Sequence, residues 1–256
     1  MSTAPVKVLV FHGFAQSASV LSKRIGAVRK ACKGVDLVFV DAPHVLTPAD
    51  LAETFGTPEE LGAAEGADAD PSLAPRGWWK VDAKREHLRG IEETLAMLRD
   101  LLAKDTYAGV FGFSQGAGMA SLLAALLERP EVYPSFLIDG KPPHPPFKFC
   151  VSVSGFRPRG EPADTILSVP YSTPTVLVLG TSDPVVSNEI SKTLCDVSSN
   201  LRIEYHDGGH FVPSKAGWRA FFRDYMLKSG VDVPSPTAQD SQPASGAATP
   251  ALLAKV

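Results

Sequence analysis

Apolar positions along the chain keep two alternating periods. Val6–Phe11 reads Val-Lys-Val-Leu-Val-Phe, a short run rich in β-branched residues that predicts a strand. Similar runs recur at Leu37–Val40, Tyr107–Phe113, Phe147–Ser154, Thr175–Gly180 and Leu201–Tyr205. The segments between them have helical spacing. Ser19–Ala31 places Leu21, Ile25 and Val28 on one face, and Ala83–Lys104 does the same with Leu88, Ile91, Leu95, Leu98 and Leu102, with Asp82 as N-cap. Gln115–Glu128 is apolar almost all round, which predicts a buried helix. Further helices are expected at about Ser187–Cys195 and Lys215–Leu227. Mostly hydrophobic strands separated by amphipathic helices predict an α/β fold. Its core would be a mostly parallel sheet of about six strands with helices on both faces.

Two segments break the rhythm. Residues 50–75 hold seven acidic residues and no Lys or Arg, and are rich in Ala, Gly and Pro. A loop this long in a compact domain is expected to be a surface insertion or a lid. In residues 229–256, twenty of the 28 are Ala, Ser, Pro, Gly, Thr or Gln and none is aromatic. Such a segment buries too little to offset the entropy of ordering, so a disordered tail is expected. The expected organisation is therefore one domain over 1–228, an acidic insertion within it, and a tail.

Composition refines this picture. With 256 residues, 44% hydrophobic and 21% charged, the chain can bury one large core. A net charge of −3 argues against a nucleic-acid partner. That charge is unevenly spread: residues 50–75 carry −7 and the tail −1, which leaves +5 for the rest. The 22 Pro cluster in predicted loops and spare the strand and helix interiors. Cys32, Cys150 and Cys195 form no paired or His-associated cluster, so buried reduced thiols in a cytoplasmic setting are expected, with no structural zinc. No apolar stretch reaches 18 residues, so no membrane span is expected, and the apolar run before His12 is too short for a signal peptide. There is no GxGxxG, Walker loop or HExxH, so no cofactor or metal is expected.

The chemistry concentrates at strand ends. Gly112-Phe113-Ser114-Gln115-Gly116 follows a strand and opens the buried helix, the context of a G-x-S-x-G nucleophile elbow. The sharp turn exposes the Ser114 hydroxyl, and the flanking glycines leave the turn room. Ala117 and Gly118 would let the helix approach the sheet closely. A serine hydroxyl needs a base. His210, in Gly208-Gly209-His210-Phe211 beyond the last strand, would lie on the same sheet edge. His206 is second choice, while His87 and His144 read as solvated. A carboxylate must orient the base. Asp183 follows the Thr175–Gly180 strand and gives the chain order Ser114, Asp183, His210; Asp207 and Asp164 are weaker rivals. Two N–H groups are expected to form an oxyanion hole, that of Gln115 and that of Phe14 in the His12-Gly13-Phe14 loop. His12 itself reads as a structural hydrogen-bonder. His44 could line the pocket, and Trp78-Trp79 could wall a pocket or anchor the insertion to the core.

These motifs resemble a eukaryotic serine hydrolase family that includes the fungal FSH hydrolases and the ovarian-cancer-associated esterase-like protein. The resemblance rests on His12-Gly13-Phe14-Ala15-Gln16, Asp41-Ala42-Pro43-His44, Arg76-Gly77-Trp78-Trp79, the Ser114 elbow, Val153-Ser154-Gly155-Phe156 and Gly208-Gly209-His210-Phe211-Val212-Pro213, in order over residues 6 to 228. It implies a compact α/β-hydrolase acting on small-molecule esters or thioesters, with its nucleophile at Ser114, acid at Asp183 and base at His210. Some fungal relatives release acyl chains from synthases as thioesterases. Two alternatives remain open at this point. One is an acyl-protein thioesterase, a family that shares the Gly-Phe-Ser-Gln-Gly elbow. The other is a hydrolase-fold binding protein with little turnover.

Overall fold

The computed structural model describes residues 4–52, 70–81 and 87–236. The lid expectation for 53–69, the Asp82 N-cap and the tail beyond 236 fall outside them. The elements in chain order begin with β1 (Val6–Phe11), α1 (Ala18–Arg24), α2 (Gly26–Ala31), β2 (Val35–Val40), β3 (His44–Val45) and α3 (Pro48–Ala52). Then come β4 (Arg76–Gly77), β5 (Lys80–Val81), β6 (Leu88–Arg89), α4 (Ile91–Leu102), β7 (Gly109–Phe113) and α5 (Gln115–Glu128). The last are β8 (Phe149–Val153), α6 (Ala163–Ile166), β9 (Thr175–Gly180), α7 (Asn188–Lys192), β10 (Leu201–His206) and α8 (Ala216–Leu227).

The six longer strands form one sheet in the order β10-β9-β8-β7-β1-β2, parallel throughout. Strand alternation divides the core into two layers. Val8, Val10, Phe111, Val151 and Val178 face α1, α2 and α8, where they meet Leu21, Val28, Trp218, Phe221 and Phe222. Leu9, Val110, Cys150, Leu177 and Leu179 face the other way, against Leu95, Leu98, Met119 and Leu123 of α4 and α5. Every residue of α5 from Gln115 to Leu127 is buried. Each buried Leu or Met there contributes about 1.5–3 kcal/mol. The chain leaves β1 for β2 on one side and then crosses back to β7 on the other. The strand order therefore reverses between β1 and β7, the place where open α/β sheets bind ligands.

Two helices differ from the sequence expectation. The helix expected from residue 83 starts at Ile91. Its N-cap is Gly90 at φ 83°, which a helix interior cannot accommodate, and Leu88 pairs in a short antiparallel ladder with Val81 instead. The expected Ser19–Ala31 helix is two helices, broken at Ile25 (φ −94°, ψ 23°) while its apolar face stays buried. The chain also stays on the body after Leu227. Val233 is buried in the α8 layer, its carbonyl accepts from Arg202, and Ser235 donates to Glu204 at 2.7 Å. Cys32 and Cys150 are buried, whereas Cys195 is exposed. Among the described residues no helix is long and apolar enough to cross a membrane.

Candidate active site

Three loops at the carboxyl edge of the sheet bring the chemistry together. Ser114 follows β7 with φ 54° and ψ −121°, a conformation that is costly for any residue with a Cβ. Steric room explains its glycines. A Cβ on Gly112 would sit 2.3 Å from the Gly116 carbonyl oxygen, and one on Gly116 would sit 2.4 Å from the His12 carbonyl oxygen and 2.5 Å from that of Phe11. The second glycine therefore clears strand β1 rather than the opposite side of its own turn. Gly118 faces the Phe156 carbonyl and Trp79 rather than the sheet.

Ser114 Oγ lies 3.0 Å from His210 Nε2, and His210 Nδ1 lies 2.8 Å from Asp183 Oδ2. A carboxylate can only accept, so Nδ1 carries the proton and donates it, which leaves the Nε2 lone pair to accept from the serine hydroxyl. The His210 and Asp183 side chains are only 5% and 2% exposed, so water barely competes for this chain of bonds. Asp183 Oδ1 accepts from the N–H groups of Val185 and Val186, both at 2.9 Å. Burial pushes its carboxyl up, but hydrogen bonding to His210, the attraction of that ring and these two N–H groups outweigh burial and hold it below the usual carboxylate range.

The N–H groups of Phe14 and Gln115 make no hydrogen bond among the described residues. Both sit where the loops crowd Ser114: a Cβ on Gly13 would lie 3.3 Å from the Ser114 Cβ. Gln115 opens α5, so its N–H also carries the positive end of a 14-residue helix. The Gln115 side chain is fully engaged. Its Oε1 accepts from the Trp78 N–H at 2.8 Å, and its Nε2 donates to the Trp79 carbonyl at 2.9 Å. Trp78 reaches further, donating its indole N–H to the His12 carbonyl at 2.8 Å and packing 4.5 Å from the Phe11 ring.

Trp78 and Trp79 are thus core residues, 0% and 2% exposed; their backbone groups bond the Gln115 side chain, and the Trp78 indole bonds the loop that holds Phe14. His44 donates from Nε2 to the Gly90 carbonyl at 2.7 Å, pinning the start of α4. None of these three lines the cavity of about 250 Å³ beside His210, which is lined by Gln16, Leu21, Arg24, Ile25, Phe113 and Val212 among others. His12 is fully buried: Nε2 accepts from the Ala42 N–H at 3.0 Å, and Nδ1 donates to the Gly13 carbonyl at 2.7 Å. Burial lowers its pKa to about 4, so it is neutral. The other histidines lie apart. His206 packs on Phe211 and Trp218, His87 is exposed, and His144 is buried, accepting from the Tyr107 N–H at 2.8 Å rather than facing solvent. Asp207 pairs with Lys215 at the surface, and Asp164 with Arg157. Among the described residues no group of three or more His, Cys, Asp and Glu could hold a metal ion.

A sequence model of the family described as "Serine hydrolase (FSH1)" matches residues 1–222. The chain belongs to the FSH1 serine hydrolase family. It is 32% identical over 243 residues to "Esterase OVCA2" of Danio rerio, covering 89% of this chain and 99% of that one. It is also 32% identical over 243 residues to a Schizosaccharomyces pombe protein named "Dihydrofolate reductase", covering 92% of this chain but 50% of that longer one. Among solved structures, acyl-protein thioesterase 2 of Zea mays superposes with a TM-score of 0.57 at 16% identity, covering 89% of this chain and 95% of that one, a likeness of fold. This FSH1 family member is an esterase-type serine hydrolase with an α/β-hydrolase fold.

One feature of the FSH1 family site has no signal in the spacing of residues. Ser154, after β8, donates from Oγ to Asp183 Oδ2 at 2.9 Å. The Val153-Ser154-Gly155-Phe156 stretch stands out in the sequence, but the carboxylate it meets is 29 residues away.

Proposed function

We propose that this chain hydrolyses carboxylic esters or acyl thioesters through an acyl-enzyme on Ser114, with His210 as base and Asp183 as its orienting acid. The observation that carries the reading is the shielded relay of hydrogen bonds from Ser114 Oγ through His210 to Asp183, beside two N–H groups with no other partner among the described residues.

The steps follow from the atoms. His210 Nε2 takes the hydroxyl proton as Ser114 Oγ attacks the acyl carbon. Negative charge moves to the carbonyl oxygen, and the N–H groups of Phe14 and Gln115 receive it. Each such donor contributes on the order of 3 kcal/mol to transition-state stabilisation. The imidazolium, steadied by Asp183, gives its proton to the departing alkoxide or thiolate. Water then attacks the acyl-enzyme with His210 again as base, releasing the acid and restoring Ser114. His44, Trp78 and Trp79 support this site from behind, holding the loops rather than touching substrate. The cavity beside His210 has a mixed wall, apolar at Leu21, Ile25, Phe113 and Val212 and polar at Gln16, Arg24 and Ser214.

A fluorophosphonate probe tests the reading directly. Wild type should label and Ser114→Ala should not, with kcat on an aryl ester falling at least about 10³-fold. Equal labelling of both proteins, or none of the wild type, refutes it. Turnover of acylated peptide thioesters without turnover of small aryl esters would move the substrate to acyl-protein chains.

A further inference from the structure

The residue that places the acid is a second serine. Asp183 Oδ2 accepts twice, from His210 Nδ1 at 2.8 Å and from Ser154 Oγ at 2.9 Å, while Oδ1 takes the two backbone N–H groups of Val185 and Val186. The carboxylate therefore has four donors for about four lone-pair sites. The two backbone donors fix one oxygen. Ser154 adds a side-chain donor on the other, the oxygen that meets His210. Ser154 is 1% exposed, so water cannot take its place without opening the sheet edge.

Ser154 holds this position in an unfavourable backbone conformation, φ 48°. A Cβ is disfavoured in that conformation, and glycine would carry no such cost. Ala15, Ser114 and Ser154, each in a loop just after a strand (β1, β7 and β8), are three of the six non-glycine residues with positive φ among the described residues. The conformation at Ser154 has a local return. The neighbouring Val153 carbonyl accepts the backbone N–H of Ser114 at 2.8 Å, and the Ser154 N–H is held by the Val178 carbonyl of β9 at 2.9 Å. One dipeptide thus grips the nucleophile with its backbone and the acid with its side chain.

We propose that Ser154 is a positioning residue of the hydrolytic site: its hydroxyl fixes the Asp183 carboxylate toward His210 and ties it to the strand end that holds Ser114. The proposal rests on the assignment of Ser114, His210 and Asp183 given above. Two variants test it. Ser154→Ala removes the hydroxyl at an unfavourable φ; Ser154→Gly removes it and relaxes the backbone, so it folds if the first does not. Both should lower kcat by about ten- to one-hundred-and-fifty-fold, the worth of a hydrogen bond to a charged acceptor, with KM within two-fold of wild type. Because the effect passes through the carboxylate, Ser154→Gly should change the rate of fluorophosphonate labelling less than two-fold in an Asp183→Asn background. Wild-type kcat in Ser154→Gly, a loss carried by KM, or an undiminished effect in the Asp183→Asn background would each overturn the proposal. Absence of labelling in wild type would instead refute the underlying assignment, so the two failures are distinguishable.

Discussion

Gln115→Leu should damage both stability and rate, because one carboxamide holds two buried backbone groups. In the native structure Oε1 satisfies the Trp78 N–H and Nε2 satisfies the Trp79 carbonyl. Leucine fills similar space but leaves both groups without partners, and the site is closed to water: Gln115 is 4% exposed, Trp78 0% and Trp79 2%. Each orphaned group costs about 1–3 kcal/mol, so the variant should lose about 2–6 kcal/mol. For a chain of this size each kcal/mol shifts Tm by about 2–4 °C. Thermal unfolding by circular dichroism should therefore show a fall of at least about 4 °C. The lost ties also loosen Trp78, whose indole N–H holds the His12 carbonyl, so kcat on an aryl ester should drop about ten-fold or more, part of the loss seen when an oxyanion donor is removed outright. Gln115→Glu sharpens the test. The ionised carboxylate keeps an acceptor for Trp78 but faces the Trp79 carbonyl; its protonated form can donate there. The stability deficit of Gln115→Glu relative to wild type should therefore shrink as pH falls. A Gln115→Leu protein with wild-type Tm and kcat would refute the reasoning.

Further expectations concern the same edge of the sheet. His12 has its pKa lowered by burial to about 4, against an ordinary value near 6.5. The unfolded chain takes up its proton first, so stability is full above about pH 6.5 and is lost as pH falls toward 4. The loss between pH 7 and pH 5 should be about 2 kcal/mol from this residue, with His144 and His206 shifted the same way by burial. Equal urea midpoints at the two pH values would refute this. Gly116→Ala drives a Cβ to 2.4 Å from one backbone oxygen and 2.5 Å from another. Neither oxygen can swing aside, so the loss should reach the top of the ~1–3 kcal/mol range for overpacking or beyond it. A urea midpoint within error of wild type would show that the loop yields.

Much of the architecture was legible because it rests on local periodicity. Each of the six sheet strands overlaps one of the apolar runs, β2 starting two residues earlier and β10 ending one residue later, and the Gln115–Glu128 run is a helix buried from Gln115 to Leu127. The start of α4 was not legible. Leu88 lies three residues before Ile91 and extends the helical pattern backwards, but the decision belongs to Gly90, whose φ the pattern cannot express. The strand-end positions of Ser114, Asp183 and His210 could be read from the alternation of elements, since parallel strands deliver their following loops to one edge. What could not be read was anything set by contacts across that edge. Trp78-Trp79 looked equally suited to wall a pocket or to anchor the core, and only its bonds to Gln115 and His12 distinguish the two. Ser154 offered no spacing to its carboxylate. The histidine of the Pro-rich loop, His144, looked solvated because its partner, the Tyr107 N–H, lies 37 residues earlier.

The strand order has a kinetic consequence. Ser114 and His210 are 96 residues apart in the chain, and His210 follows β10, the outermost strand on its side of the sheet. Contacts of such long sequence separation are slow to close. A species with the helix behind Ser114 in place and β10 still undocked would hold the proposed nucleophile without its proposed base. During refolding, hydrolysis should return only when the last strand zips on. During unfolding from that edge, it should vanish while most of the helix signal survives. Turnover is therefore a stricter reporter of the complete native sheet than any spectroscopic measure of its helices.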